Sequence, residues 1–202
     1  KDNGPAHPYV IKIAPGTYVE SSPIVVKTFV DIEGSGRNRT TLFCGCHGVN
    51  LADDATVIET TAVDAEIRDL TITNSHNASA TAYAVVVDSP TPAFSLVHVG
   101  LTALATGNAG AGIGLFVNLG GAGPHVDDLN VYVVGSPGDN YGVYSDAAMI
   151  VRNSWIYTSG TSVYSFGNVT WLLGSTVVGA TSGLTGHCTA VIADNGTPYT
   201  CA

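Results

Sequence analysis

The sequence predicts an all-β protein, a right-handed, single-stranded parallel β-helix of about eight coils. Three observations lead there. Apolar residues fall in short Val-, Ile-, Thr- and Tyr-rich runs punctuated by Gly, Asn, Ser and Pro, a composition suited to strands and tight turns and poor in helix formers. One strand pattern repeats: "IRDLTIT" (67–73), "LVHVGLT" (96–102), "VDDLNVY" (126–132), "VRNSWIY" (151–157) and "LLGSTVV" (172–178) align at spacings of 29, 30, 25 and 21 residues. A second strand recurs between these copies, in "AYAVVVD" (82–88), "GIGLFVN" (112–118), "YGVYSD" (141–146) and "SVYSFGN" (162–168). One coil cannot bury its apolar face alone, but coils stacked at ~4.8 Å build continuous inward columns and a rod of roughly 40 Å. An up-and-down barrel or a sandwich does not require copies that align so directly.

Taken in order, the chain opens with short strands that turn at "PGTY" (15–18). The stretch "DIEGSGRNRTTLFCGCHG" (31–48) lacks the Lys-Ser/Thr of a P-loop and does not run from strand into helix as a G-x-G-x-x-G motif does. Gly34 and Gly36 therefore read as turn residues at a coil corner and not as a phosphate cradle. In the repeats, period-2 alternation makes Val85, Leu115 and Val143 one inward column and sets Leu70, Val99 and Leu129 beside the inward column of another sheet. The same alternation turns Phe116 and Tyr144 outward. No linker interrupts the 202 residues, so residues 1–202 read as a single domain.

Charge narrows the partners. The chain carries a net charge of −9 with seven basic residues, so it lacks the phosphate-neutralising surface that nucleic acid requires. No unpunctuated apolar run reaches the roughly 18 residues of a membrane span. The start, "KDNGPAHPY", has no signal-peptide apolar core, so a secreted chain would already have lost its leader. Residues 1–69 hold 16 of the 23 charged side chains and residues 153–193 hold none. The charge-poor half has either a Ser/Thr/Asn/Gly skin or a contact to make.

The segment "YVIKIAPGTYVESSPIVVKTFVDIEGSGRNRTTL" (9–42) resembles the first coils of pectin methylesterase-like right-handed β-helices. The repeat "NYGVYSDAAMIVRNSWI" (140–156) and the ending "CTAVIADNGTPYTC" (188–201) resemble a group of secreted bacterial β-helix repeat proteins, many without an assigned activity. The resemblance covers nearly the whole chain and implies a secreted or cell-surface protein. It also places paired cysteines at the end, implying a Cys188–Cys201 bridge across the "DNG"-tipped hairpin that closes a C-terminal cap over 183–202. Four cysteines in a secreted β-protein read as disulfides. Cys44 and Cys46 would share one side of a continuing strand with Cα atoms roughly 7 Å apart, so a bridge between them requires a bend at Gly45. Buried thiols, an interchain bridge and half of a metal site completed by His47 are the other readings. Four closed metal ligands are not evident locally.

Pectin methylesterase chemistry needs a nucleophilic carboxylate, a second carboxylate as acid and base, an orienting arginine and oxyanion donors. The "D-F-I-F-G" and "L-G-R-P-W" motifs of that family are absent. Lyase chemistry needs a basic residue beside acidic calcium ligands, yet Arg152 is the lone Lys or Arg after Arg68. Asp127, Asp128 and Arg152 form the candidate catalytic set, but adjacent aspartates on one strand point to opposite faces. Asp128 also aligns with Asp69, His98 and Asn153 as a recurrent polar turn position. His98, His125 and "TGHC" around His187 imply no ligand role, and neither a cofactor nor a metal is expected.

The late aromatic residues are Phe116, Tyr132, Tyr144, Trp155, Tyr157, Tyr164, Phe166 and Trp171. About half are expected inside the coil. Phe116, Tyr144, Trp155 and Tyr157 are the candidate surface for stacking on sugar rings or on another chain. The functional expectation is a non-catalytic, extracellular, structural or adhesive β-helix. It would act through glycan contact or through homotypic assembly, in an oligomer or filament joined at the charge-poor coils. The alternative is a carbohydrate-active enzyme, an esterase, lyase or hydrolase working on acidic polysaccharide.

Overall fold

The computed structural model describes residues 3–48, 50–59, 64–88, 94–107, 110–118, 122–135, 139–166, 170–184, 188–193 and 195–199. Its strands wind into a parallel β-helix of eight coils with three faces. The first face stacks Tyr9–Lys12, Val30–Glu33, Ala65–Arg68, Phe94–Val97, Ala122–Asp127, Ala148–Arg152, Thr170–Leu173 and Cys188–Thr189. The second runs from Gly16–Glu20 through Thr40–Cys44, Thr71–His76, Gly100–Ala105 and Asn130–Gly135. The third holds Ile24–Val25, Ala55–Glu59, Ala82–Val87, Gly112–Val117 and Tyr141–Ser145. In the sixth coil Trp155–Ser165 crosses the corner unbroken and pairs on both the second and third faces, joining them into one sheet.

The repeats read from the sequence are in register. Ile67, Leu96, Val126, Val151 and Leu172 pair rung by rung and are buried. Val85, Leu115 and Val143 pair likewise on the third face, all fully buried, and Leu70, Val99 and Leu129 line the neighbouring corner of the core. Burying such side chains contributes roughly 1.5–3 kcal/mol each, so continuous columns hold the coils together.

From the third coil to the eighth the chain turns between the first and second faces on a single left-handed residue: Asp69 (φ 57°), His98 (55°), Asp128 (52°), Asn153 (50°), Gly174 (57°) and Ala190 (55°). Asp and Asn tolerate this conformation because their short side chains bond locally, and Gly does so because it has no Cβ. The polar residue that recurs in the repeats, at Asp69, His98, Asp128 and Asn153, is thus the corner residue of the third to sixth coils. Gly36 also needs a positive φ, 126°. Gly34 does not; its role is closeness, since a Cβ there would lie 2.6 Å from that of Leu70.

The two ends differ. At the first coil Tyr9, Val10, Ile11 and Val19 are exposed. At the last, Tyr199 donates its N–H to the Val191 carbonyl at 2.8 Å, and Ala193 donates to that of Thr197 at 2.9 Å. This folds the chain back so that Tyr199 packs on the core beside buried Leu184 and Val191. Cys188 is disulfide-bonded, while Cys201, its expected partner, lies outside the described residues.

Cys44 and Cys46 are bridged to each other, with Cα atoms 5.0 Å apart. The strand stops at Cys44, so the bend at Gly45 supplies the shortening that an extended strand could not. Asn74, buried in the next coil, donates to the carbonyls of Cys46 (3.2 Å), Asp54 (2.6 Å) and Tyr83 (3.1 Å), which pins the loop after the bridge against the third face. Burial pushes the Asp54 carboxyl up and the neighbouring His76 imidazole down. No group of three or more metal-ligating side chains converges among the described residues.

Candidate functional site

The outward positions of the third face gather the aromatic side chains. Alternation along Ala82–Val87 is interrupted: Ala84 and Val85 both point into the core, so Tyr83 and Val86 both point out. The interruption recurs at Gly114, Gly142 and Ser162, where rung pairing skips a position. Small residues are required there, because a Cβ on Gly114 would lie 2.6 Å from Val131 Cγ1 of the second face. Tyr141, which strict alternation with Val143 would bury, is turned outward by this shift of phase.

Six rings result. Phe116, Tyr144 and Tyr164 stack on successive coils at 5.1 and 4.9 Å, each pair tilted by 24°. Phe166 extends the stack from Tyr164 at 6.5 Å and is itself 58% exposed. Tyr83 meets Phe116 edge-on at 5.4 Å, and Tyr141 stands at 86° to Tyr144 and 64° to Tyr164. The stacked rings use their faces on one another. The Tyr141 ring stands across that stack in edge-type contacts. Burial, then Asp139, pushes its hydroxyl up, so it remains a neutral hydrogen-bonding group at physiological pH. At the end of the same face Asn118 donates to Asp88 at 2.6 Å, giving the rings a polar border.

None of the eight late aromatics is buried, against the expectation that about half would be. Their phase is outward on every coil. Tyr132 and Tyr157 stack on the second face at 5.2 Å and 9°, with Trp155 5.8 Å from Tyr157, and Trp171 lies on the outside of the first face.

Asp127 and Asp128 take different partners. Asp127 ends a first-face strand, accepts a hydrogen bond from Asn153 at 2.9 Å, and has Arg152 as its neighbour in the next coil. Asp128 sits at the left-handed corner, where Arg37 Nη1 donates to its carbonyl at 2.9 Å and pairs with its carboxylate at 3.2 Å. His98 bridges the corner column, with Nδ1 2.6 Å from Asp69 Oδ1 and Nε2 3.9 Å from Asp128 Oδ2. Arg37, Asp69 and His98 therefore accompany Asp128, and Arg152 is set apart with Asp127. The left-handed corner at Asp128 is the strand break that frees the two aspartates from strict alternation.

No protein family and no curated protein matches the sequence. Solved structures do match its shape. Pectin methylesterase from carrot superimposes with a TM-score of 0.55 at 19% identity, covering 88% of this chain and 65% of that one. The fold is that of the pectin methylesterase β-helix. A pectin methylesterase mutant in complex with a hexasaccharide superimposes with a TM-score of 0.52 at 12% identity, covering 96% of this chain and 76% of the other. The present chain thus spans just under two thirds of the carrot enzyme's length. No helix among the described residues is long and apolar enough to cross a membrane.

Proposed function

We propose that the protein is an extracellular, non-catalytic β-helix that contacts glycans through the aromatic surface of its third face. The observation that carries this reading is the contiguous set of six outward aromatic side chains, with Tyr141 standing across the stacked rings. Contiguous apolar surface of this kind, bordered by polar groups, marks an interaction site. Sugars complement it, with an apolar C–H face for the ring and hydroxyls for Asp88 and Asn118. The hexasaccharide carried by a structural neighbour supports the ligand class. The disulfide supports an oxidising, extracellular setting. The engagement of Asp127 with Asn153 and of Asp128 with Arg37 supports binding over turnover, the alternative being an enzyme built on Asp128, Asp127 and Arg152. Affinity electrophoresis through gels containing soluble polysaccharides tests the proposal: wild type is retarded and Tyr141→Ala is retarded less. Equal retardation of the two would remove Tyr141 from the site.

Self-association is the second reading, favoured by one observation. Trp155 (36%), Phe166 (58%) and Trp171 (41%) are exposed within residues 153–193, which carry no formal charge. Light scattering across a wide concentration range would show growth in mass under this reading and a constant monomer mass without it.

A further inference from the structure

The second face carries a shorter aromatic stack that stops one rung early. Its outward column reads Phe43, Thr73, Thr102, Tyr132, Tyr157 and Val178. Tyr157 covers one face of Tyr132. On the other side the next rung is Thr102, too short to reach ring height. The space ahead of Tyr132 is a hollow of about 220 Å³, walled by Tyr132 on one side and by Arg37 and Asn38 on the other. Thr71, Gly100, Thr102 and Asn130 complete the lining.

The far wall is held in place. Arg37 Nη1 is fixed to Asp128, and the Arg37 carbonyl accepts a hydrogen bond from the Thr71 hydroxyl. The Arg37 stem lies over Gly100, where a Cβ would come 3.2 Å from Arg37 Cγ and 2.7 Å from Thr71 Oγ1. A backbone-only floor at Gly100 is thus a condition for the loop 34–39 to close the trough.

We propose that this trough binds one pyranose ring of an uncharged glycan, seated on the open face of Tyr132 where the missing rung of the stack would stand. One aromatic face combined with the polar side chains of Arg37, Asn38, Thr102 and Asn130 matches a sugar, which has an apolar ring face and a rim of hydroxyls. An apolar side chain from a protein partner would leave the side chains of Asn38, Thr102 and Asn130 without hydrogen bonds, a costly arrangement once they are desolvated. The ring is uncharged because Asp128 already neutralises Arg37 and the chain as a whole carries −9. The ligand class rests on the glycan reading above, but the site is a different one, on a different face.

The test uses the full chain carrying Tyr141→Ala, so that the third face is disabled, titrated calorimetrically with cello-, manno- and xylo-oligosaccharides and with oligogalacturonate. Residual binding of an uncharged oligosaccharide is expected. Adding Thr102→Phe, which fills the vacant rung, should weaken it at least tenfold while leaving the melting temperature unchanged or raised. Tyr132→Leu should weaken it similarly, covering the case in which Thr102→Phe fails to fold. Residual binding that neither substitution alters, or no residual binding in Tyr141→Ala, overturns the second site while the third-face reading stands. Residual binding confined to oligogalacturonate overturns the assignment of an uncharged ring. Absence of binding by the wild type to every sugar overturns the glycan reading itself.

Discussion

Leu115 and Phe116 are adjacent on one strand, and the account assigns them opposite destinies: Leu115 into the core column, Phe116 onto the outer stack. Leu115→Ala removes three carbons, about 2.4 kcal/mol of transfer free energy at ~0.8 per carbon. The neighbouring rungs Val85 and Val143 are held at strand spacing, so the cavity collapses little and the cost moves toward the upper part of the roughly 2.7–5 kcal/mol range, about 4. For a chain of this size about 2–4 °C is lost per kcal/mol, a fall of roughly 8–16 °C. Phe116→Ala deletes a larger but only partly buried side chain; besides some packing on the Val86 cluster it gives up one stacked contact with Tyr144 and one edge contact with Tyr83, the two ring contacts worth roughly 1–3 kcal/mol together. Thermal melts followed by circular dichroism measure both. A greater loss for Phe116→Ala than for Leu115→Ala would refute the assignment of inside and outside, and with it the aromatic surface.

Ala190 holds a left-handed corner, φ 55°, without a side chain suited to it, so Ala190→Gly should stabilise by about 0.5–1 kcal/mol, a sign opposite to that in an ordinary strand; a lowered melting temperature would contradict this. The Cys44–Cys46 bridge closes a ring of only three residues and links no two coils, so Cys44→Ser with Cys46→Ser should cost about 1.6 kcal/mol or less in denaturant unfolding. A loss above about 3 kcal/mol would mean that the bridge organises more than its own bend. Arg68, then Lys12, hold the Glu33 carboxyl below its ordinary 4.5, so its contribution is present above that pH and lost as pH falls through the lowered value. Glu33→Gln should therefore be less stable at neutral pH and show a shallower acid limb below pH 4.5; superimposable acid limbs would exclude the ion pairs as the cause.

The fold was legible because each coil repeats the same demand. An apolar residue two before the corner, a corner residue that tolerates a left-handed backbone and an alternating strand after it recur in Ile67-Arg68-Asp69 and Val126-Asp127-Asp128, and their alignment is the pairing register. The site was legible only in part. Phe116 and Tyr144 follow simple alternation, whereas Tyr141 and Tyr83 depend on the extra inward residue at Gly142 and Ala84, which alternation does not foresee. The small residues in "GIGLFV" and "YGVYS" are the available signal, since an inward glycine between larger inward residues marks a crowded corner. The meeting of Arg37 with Asp128 spans 91 residues and is set by a loop crossing several coils, a distance at which local patterns carry no information.

Hydroxyl-radical footprinting of the wild type, with and without a polysaccharide that retards it, shows which face the glycan covers, because oxidation reports each ring separately. Tyr141, Tyr164 and Phe166 on the third face should be protected, and Trp171, which is 41% exposed on the first face, should not. Protection of Trp171 with the third-face rings left reactive would contradict it.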